Sequence, residues 1–371
     1  MDPQSIHSTL NASESLKPHP EYYFPDGNIV LLAGSSAFRV HSFILARRSD
    51  LFRDLFDIPQ PQDDEYSYDG CTVVHLSDSA KEIDFLLFMM YDGGRSYFSA
   101  AYSLSFAQVA MMLHLGTKYQ MEDVREEAIS RLWRCYPSHL PHFDNEVTRR
   151  DSIYDAHPFD AIRLAHRFGL DFILPPAYYL CTRMGLDTMV KAARKGWWNF
   201  DDLRICMKAR KKLRTAEIAA NRSFASYLES WSNIAWQTVC INPTVCNDTM
   251  RLCINILKWC KYNTNRGLLV NDLNWCLYIA SRAPLCYSCI ALFGHVHDVQ
   301  RSKIWSELGQ YCNVPNWSST SIIRRCALGA ERRLSLMIPR SVGDNHITPN
   351  TLFLYVYQVS RFVNTSLVIT I

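Results

Sequence analysis

Residues 28–56, NIVLLAGSSAFRVHSFILARRSDLFRDLF, change hydrophobic period partway along. The run Ile29 to Ala33, closed by Gly34, predicts a short buried strand. Ser35-Ser36 makes a turn, and the alternation of Phe38 and Val40 predicts the second strand of a hairpin. After His41 the spacing becomes helical, ending in Leu51, Phe52, Leu55 and Phe56. A chain that passes from period two to period 3.6 over one such stretch must fit a small sheet against helices.

The segments that follow keep this requirement. TVVHL (72–76) is β-branched and predicts a third strand, after a polar loop over 57–71. Ser79 and Glu82 fit a capping box, and Ile83, Leu86, Leu87 and Met90 then share one helical face, with Asp92-Gly93-Gly94 as the stop. Ser105 and Gln108 repeat the box ahead of Phe106, Val109, Ala110 and Leu113. Val124, Ala128 and Leu132 mark a helix over about 121–135. The expected fold class is α+β: a short three-stranded sheet capping a helical cluster over residues 22–137.

At 371 residues, more than one domain is expected. Residues 1–21 are polar, with Pro18 and Pro20, and read as a disordered lead-in without the apolar core of a signal peptide. Residues 138–156 read as a linker. From 157 to 317 strand-like alternation nearly vanishes, and helices are expected over 159–169, 172–184, 199–214, 216–239, 247–262, 271–280 and 285–310. All nine tryptophans lie between Trp133 and Trp317. The tail 318–371, with LFLYVYQV and SLVITI, is β-prone and has no evident partner upstream. No apolar run reaches the roughly 20 residues that cross a bilayer. An intracellular chain with reduced thiols, in cytoplasm or nucleus, is the expectation.

The opening block resembles the start of a BTB/POZ domain, through Phe38, His41, Leu45, Ser49, Phe52 and Phe56. VVHLSDSAKEIDFLLFMMYDG is similar to that family's third strand and following helix. LHLGTKYQMEDVREEAISRL is similar to its late helix pair, through Leu115, Lys118, Tyr119, Val124 and Leu132. The wording, and the close GHVHDVQRSKIWSELGQYCNVPNW (294–317), resemble the BTB proteins expanded in mushroom-forming basidiomycete fungi. The resemblance implies a non-enzymatic adaptor or scaffold that associates with itself or with other proteins. A ubiquitin-ligase role through a cullin-type scaffold is one form of it. Candidate interface residues are Asn28, Ile29, Leu31, Phe43, Ile44 and Arg47. Two departures stand out. Asn28 occupies a position where the family often has an interface aspartate. The loop GGRSYFSAAYSL (93–104) lacks the acidic residue that cullin adaptors often place there.

Four constellations carry chemistry. His41 has no nucleophile or acid at catalytic spacing, and a junction histidine satisfied by hydrogen bonds is expected. Cys240, Cys246, Cys286 and Cys289 offer four thiols, the last two at a zinc-ligand spacing, with His295 and His297 as substitutes. Against that, Cys246, Cys253 and Cys260 recur every seven residues, as core residues of a helix do. Core packing without a cofactor is therefore the expectation, and a zinc-stabilised helical domain the alternative. Residues 191–214 hold nine basic and two acidic residues with interleaved aromatics. They suit a solvated helix face; the alternative is a nuclear regulator touching nucleic acid there. A net charge of +3 does not favour the second. No phosphate loop, nucleophile elbow or zinc-protease motif occurs, so no catalytic residue is assigned.

Overall fold

The computed structural model describes residues 16–58, 67–92, 103–231, 240–259, 285–315 and 317. The domain opens with strands β1 (Lys17–Tyr23), β2 (Ile29–Ala33) and β3 (Ser36–Val40). Helices α1 (Ser42–Arg48) and α2 (Asp50–Asp57) follow, then β4 (Ser67–Tyr68), β5 (Cys71–Leu76) and helices α3 (Ala80–Tyr91), α4 (Phe106–Lys118) and α5 (Glu122–Cys135). The sheet order is β1-β3-β2-β5-β4. β2 and β3 are the expected antiparallel hairpin, turning at Gly34 with φ +59°, a conformation that costs a side-chain-bearing residue energy. β2 and β5 run parallel, joined by a crossover that holds α1 and α2.

The sheet has five strands, not the expected three. β1 lies partly inside the stretch read as a disordered lead-in. Its Pro18 and Pro20 cannot donate to a ladder, but β1 is the outermost strand, where missing donors are tolerated. Residues 1–15 lie outside the described residues. β4 sits within the expected loop 57–71. It pairs with β5 across Asp69 and Gly70, with φ of 54° and 76°, the pair of positive values that a type I′ turn requires.

β2 is buried along its whole length because both faces of the sheet are covered. Ile29, Leu31, Ala33, Phe38 and Val40 face the main core, and Val30, Leu32, Ala37 and Cys71 form a smaller cluster opposite. Both predicted capping boxes form: Ser79 with Glu82 starts α3, and Ser105 with Gln108 starts α4. Val124, Ala128 and Leu132 are buried along α5, as their spacing predicts.

Beyond α5 come α6 (Leu140–Asp144), α7 (Glu146–Ser152), α8 (Pro158–Phe168), a 3-10 turn (Asp171–Ile173), α9 (Leu174–Thr182) and α10 (Leu186–Arg194). Next are α11 (Phe200–Trp231), α12 (Pro243–Trp259), α13 (Tyr287–Ser306) and α14 (Leu308–Tyr311). The expected linker 138–156 thus holds two helices. Phe143 and Ile153 are buried in the same core as the sheet, so no free tether separates two domains there. That core continues through α8 to the first part of α11 and takes in Trp305 and Trp317. Trp305 Nε1 donates to the Ser138 carbonyl at 2.6 Å. Trp317 packs so tightly on Gly309 that an added Cβ would lie 2.0 Å from its ring.

The expected break at Thr215 does not occur. Its hydroxyl donates to the Lys211 carbonyl at 3.1 Å, and α11 runs on for 32 residues. The far part of α11 leaves the main core. With α12 and α13 it builds a second, small cluster from Phe224, Leu228, Cys246, Met250, Cys253 and Phe293 among others. Among the described residues no helix is long and apolar enough to cross a membrane. The expected helix 271–280 and the tail 318–371 lie outside the described residues.

Candidate functional site

The strand–helix junction is built by hydrogen bonds. His41 donates its backbone N–H to the Tyr91 hydroxyl at 2.9 Å, and its Nδ1 lies 3.0 Å from the same oxygen. Its Nε2 is 3.4 Å from the Asp26 carboxylate, and its ring packs beside Phe24. Burial raises the Tyr91 hydroxyl above its usual pKa. His41 thus sits hydrogen-bonded at the junction of β3 and α1. It heads α1 without capping it, and the cap comes from Asn28 instead. Asn28 Oδ1 accepts from the Ser42 backbone N–H, and Nδ2 donates to the Ser42 hydroxyl, both at 2.9 Å.

Ser49 ties α2 to the late helix pair. Its hydroxyl donates to the Tyr119 carbonyl at 2.6 Å and accepts from the Phe52 N–H at 3.2 Å. Phe52 stacks on Tyr119, with ring centres 5.1 Å apart. The Tyr119 hydroxyl and Lys118 Nζ both donate to Asp78 at 2.5 Å. Burial works against the Asp78 charge, but Lys118 and Tyr119 outweigh it and hold its carboxyl below the usual range. Phe38, Leu45, Ser49 and Phe52 are buried, and Phe56 is partly so. These positions build the fold.

The six proposed interface residues separate. The Ile29 and Leu31 side chains are spent in the domain's own core, so neither can face a partner. Sequence could not assign their faces because β2 is apolar on both. Phe43 is 72% exposed, Arg47 and Asn28 are exposed, and Ile44 is half-buried. Phe43 and Arg47 lie one turn apart on α1, which buries only Leu45. Leu51 and Ile58 add exposed apolar surface on and just after α2.

The basic stretch 191–214 spans α10 and α11. Trp198 is core, its indole donating to the Met189 carbonyl at 3.2 Å, whereas Trp197 and Phe200 are exposed. Both acidic residues there are engaged: Asp201 pairs with Arg204, and buried Asp202 accepts from Tyr178 and lies 2.8 Å from His166. Arg210 and Lys212 donate to backbone carbonyls. Lys208, Lys211 and Arg214 remain exposed along α11.

The four cysteines singled out by spacing come together. Cys240 Sγ is 3.7 Å from Cys286 Sγ and 3.6 Å from Cys289 Sγ, and Cys286 and Cys289 are 3.4 Å apart. The Cys286 backbone N–H donates to Cys246 Sγ at 3.1 Å, and all four sulfurs lie within 4.8 Å of one another. None is in a disulfide. Burial pushes the Cys286 thiol up. The backbone N–H groups of Ile241 and Cys289, with the neighbouring thiols, outweigh it and bring the group down to about 6. Burial raises Cys246 and Cys289. The seven-residue repeat pointed to core packing. It describes Cys253, which is fully buried among apolar side chains, but only half of Cys246, which also meets the other thiols. Cys260 lies outside the described residues. His295 and His297, named as substitute ligands, are not among the clustered groups.

A family model, that of the BTB/POZ domain, matches residues 26–132. No curated protein and no solved structure matches the chain. The match covers β2 through most of α5, the stretch that holds the Asn28–Ser42 cap, the His41 junction and the Ser49–Tyr119 tie. Residues 26–132 are therefore a BTB/POZ domain, a protein-interaction fold, and the helices that follow extend its core.

Proposed function

We propose that the chain is a non-enzymatic adaptor that associates with a second copy of itself through α1 and the start of α2. The observation that carries this reading is Phe43: a large apolar side chain, 72% exposed, one turn from Arg47. An exposed aromatic beside an arginine is the composition of an interface anchor. The fold supplies the rest, since BTB/POZ domains act by association rather than by chemistry.

A cullin-type scaffold rests on family resemblance alone, and residues 93–104 contain no acidic residue to support it. Nucleic-acid contact through 191–214 has in its favour exposed cations, among them Lys191, Arg194, Lys195, Lys208, Lys211 and Arg214, with Trp197 and Phe200 exposed among them. The resemblance of 294–317 to basidiomycete proteins belongs to the same adaptor reading.

Light scattering on the full chain at micromolar concentration tests the reading. The expected mass is twice that of the chain, falling to the monomer in Phe43→Glu while far-ultraviolet circular dichroism is unchanged. A wild-type chain that stays monomeric, or a Phe43→Glu dimer as tight as wild type, refutes it.

A further inference from the structure

We propose that Cys240, Cys246, Cys286 and Cys289 form a closed tetrathiolate site for one zinc ion. A tetrahedron of sulfurs at the usual Zn–S bond length of about 2.3 Å has edges of about 3.8 Å. The three measured separations, 3.4, 3.6 and 3.7 Å, approach that edge. They are far longer than the S–S bond of about 2.05 Å in a disulfide. The Cys286 sulfur is also nearly equidistant from two others, as sulfurs sharing one central ion are and as paired sulfurs are not. An iron–sulfur cluster would place several irons and sulfides among its cysteines and hold their sulfurs further apart.

The surroundings fit an anionic centre. The Cys286 backbone N–H donates to the Cys246 sulfur at 3.1 Å, which orients and stabilises a thiolate. Cys246 sits in the first turns of α12, Cys286 stands at the N-cap position of α13, and Cys289 lies in its first turn. Two helix N-termini thus turn their positive ends toward the sulfurs. Binding takes all four cysteines as thiolates and releases to solvent the thiol protons they still hold; it leaves a zinc tetrathiolate of charge −2 and oxidises nothing. With four protein ligands there is no open position for a substrate, so the ion would staple the small core of Phe224, Met250 and Phe293. Four soft ligands also exclude magnesium and calcium.

Elemental analysis of the full chain, purified under reducing conditions with zinc supplied, should find about one zinc per chain. Cys286→Ser and Cys289→Ser should lower that at least ten-fold, whereas Cys253→Ala, buried nearby but outside the cluster, should retain it. Because a serine variant could lose metal by unfolding, cobalt(II) added to the metal-free wild type gives a second readout. Thiolate-to-cobalt charge transfer and the visible bands of tetrahedral cobalt should appear and be displaced by zinc. The proposal fails if zinc stays below a tenth per chain and cobalt gives no such bands. It also fails if iron occupies the site, or if two of the four cysteines are disulfide-linked in protein kept anaerobic.

Discussion

The main core and the small cluster on the far part of α11 are organised differently. The main core takes in a sheet, both capping-box helices and the tryptophans that close the chain's helical part. Ion pairs are buried with it: Glu127 accepts from Arg131 and Arg134, and Arg301 meets Asp144 at 2.6 Å. The small cluster rests on three helices, with four thiols gathered at one end. Apolar burial holds a large core by itself, but the surface-to-volume ratio works against a small one, which then needs a cross-link. The contrast locates the chain's weak point in α12 and the first part of α13 rather than in the BTB/POZ domain.

The largest test of that contrast lies in the main core. Glu127→Ala removes the carboxylate shared by Arg131 and Arg134, with Arg131 fully buried. It should cost about 3–5 kcal/mol, read as a lower midpoint in urea unfolding. Glu127→Leu, which fills the space but leaves Arg131 without its carboxylate, should cost about as much; recovery of most of the stability in the leucine variant would instead point to lost packing.

Phe224→Ala should also cost about 3–5 kcal/mol where it acts, but over a smaller part of the molecule. Hydrogen exchange should quicken in α12 and α13 and stay unchanged in β2 and β5. Faster exchange in the sheet would mean that the two cores melt together and that the contrast is false.

The smallest effect is at Asn28. Loss of the α1 cap in Asn28→Ala should cost about 0.5–2 kcal/mol, measured by thermal melting. Asn28→Asp keeps the oxygen that accepts from the Ser42 N–H and should recover most of this. A full loss in the aspartate variant would show that the amide's bond to the Ser42 hydroxyl matters more.

The parts of the fold visible in the sequence were those whose signals are local. Both capping boxes, the β2–β3 hairpin and the buried face of α5 follow from spacings within a turn or two. The missed parts depend on long-range placement. Pro18 and Pro20 speak against a strand unless it lies at an edge, and only tertiary structure places β1 there. Asp69-Gly70 is a local signal of another kind, a hairpin turn that reads as loop because β4 is two residues long. Helix α10 went unread beside its basic stretch. Among site residues, the faces of Ile29 and Leu31 could not be read from an unbroken apolar run. For the cysteines, spacing alone could not decide between core and cluster, because Cys246 belongs to both.

Helix α11 has a consequence of its own. Near the sheet domain it presents Cys206, Ala209 and Leu213 to the main core, and further on it presents Phe224 and Leu228 to the small one. Each residue advances an α-helix by about 100°. A single-residue insertion at Thr215, itself exposed, would therefore swing Phe224 and Leu228 about a quarter-turn out of register. Thr215 should accept a change of letter far more readily than the helix accepts a change of length there.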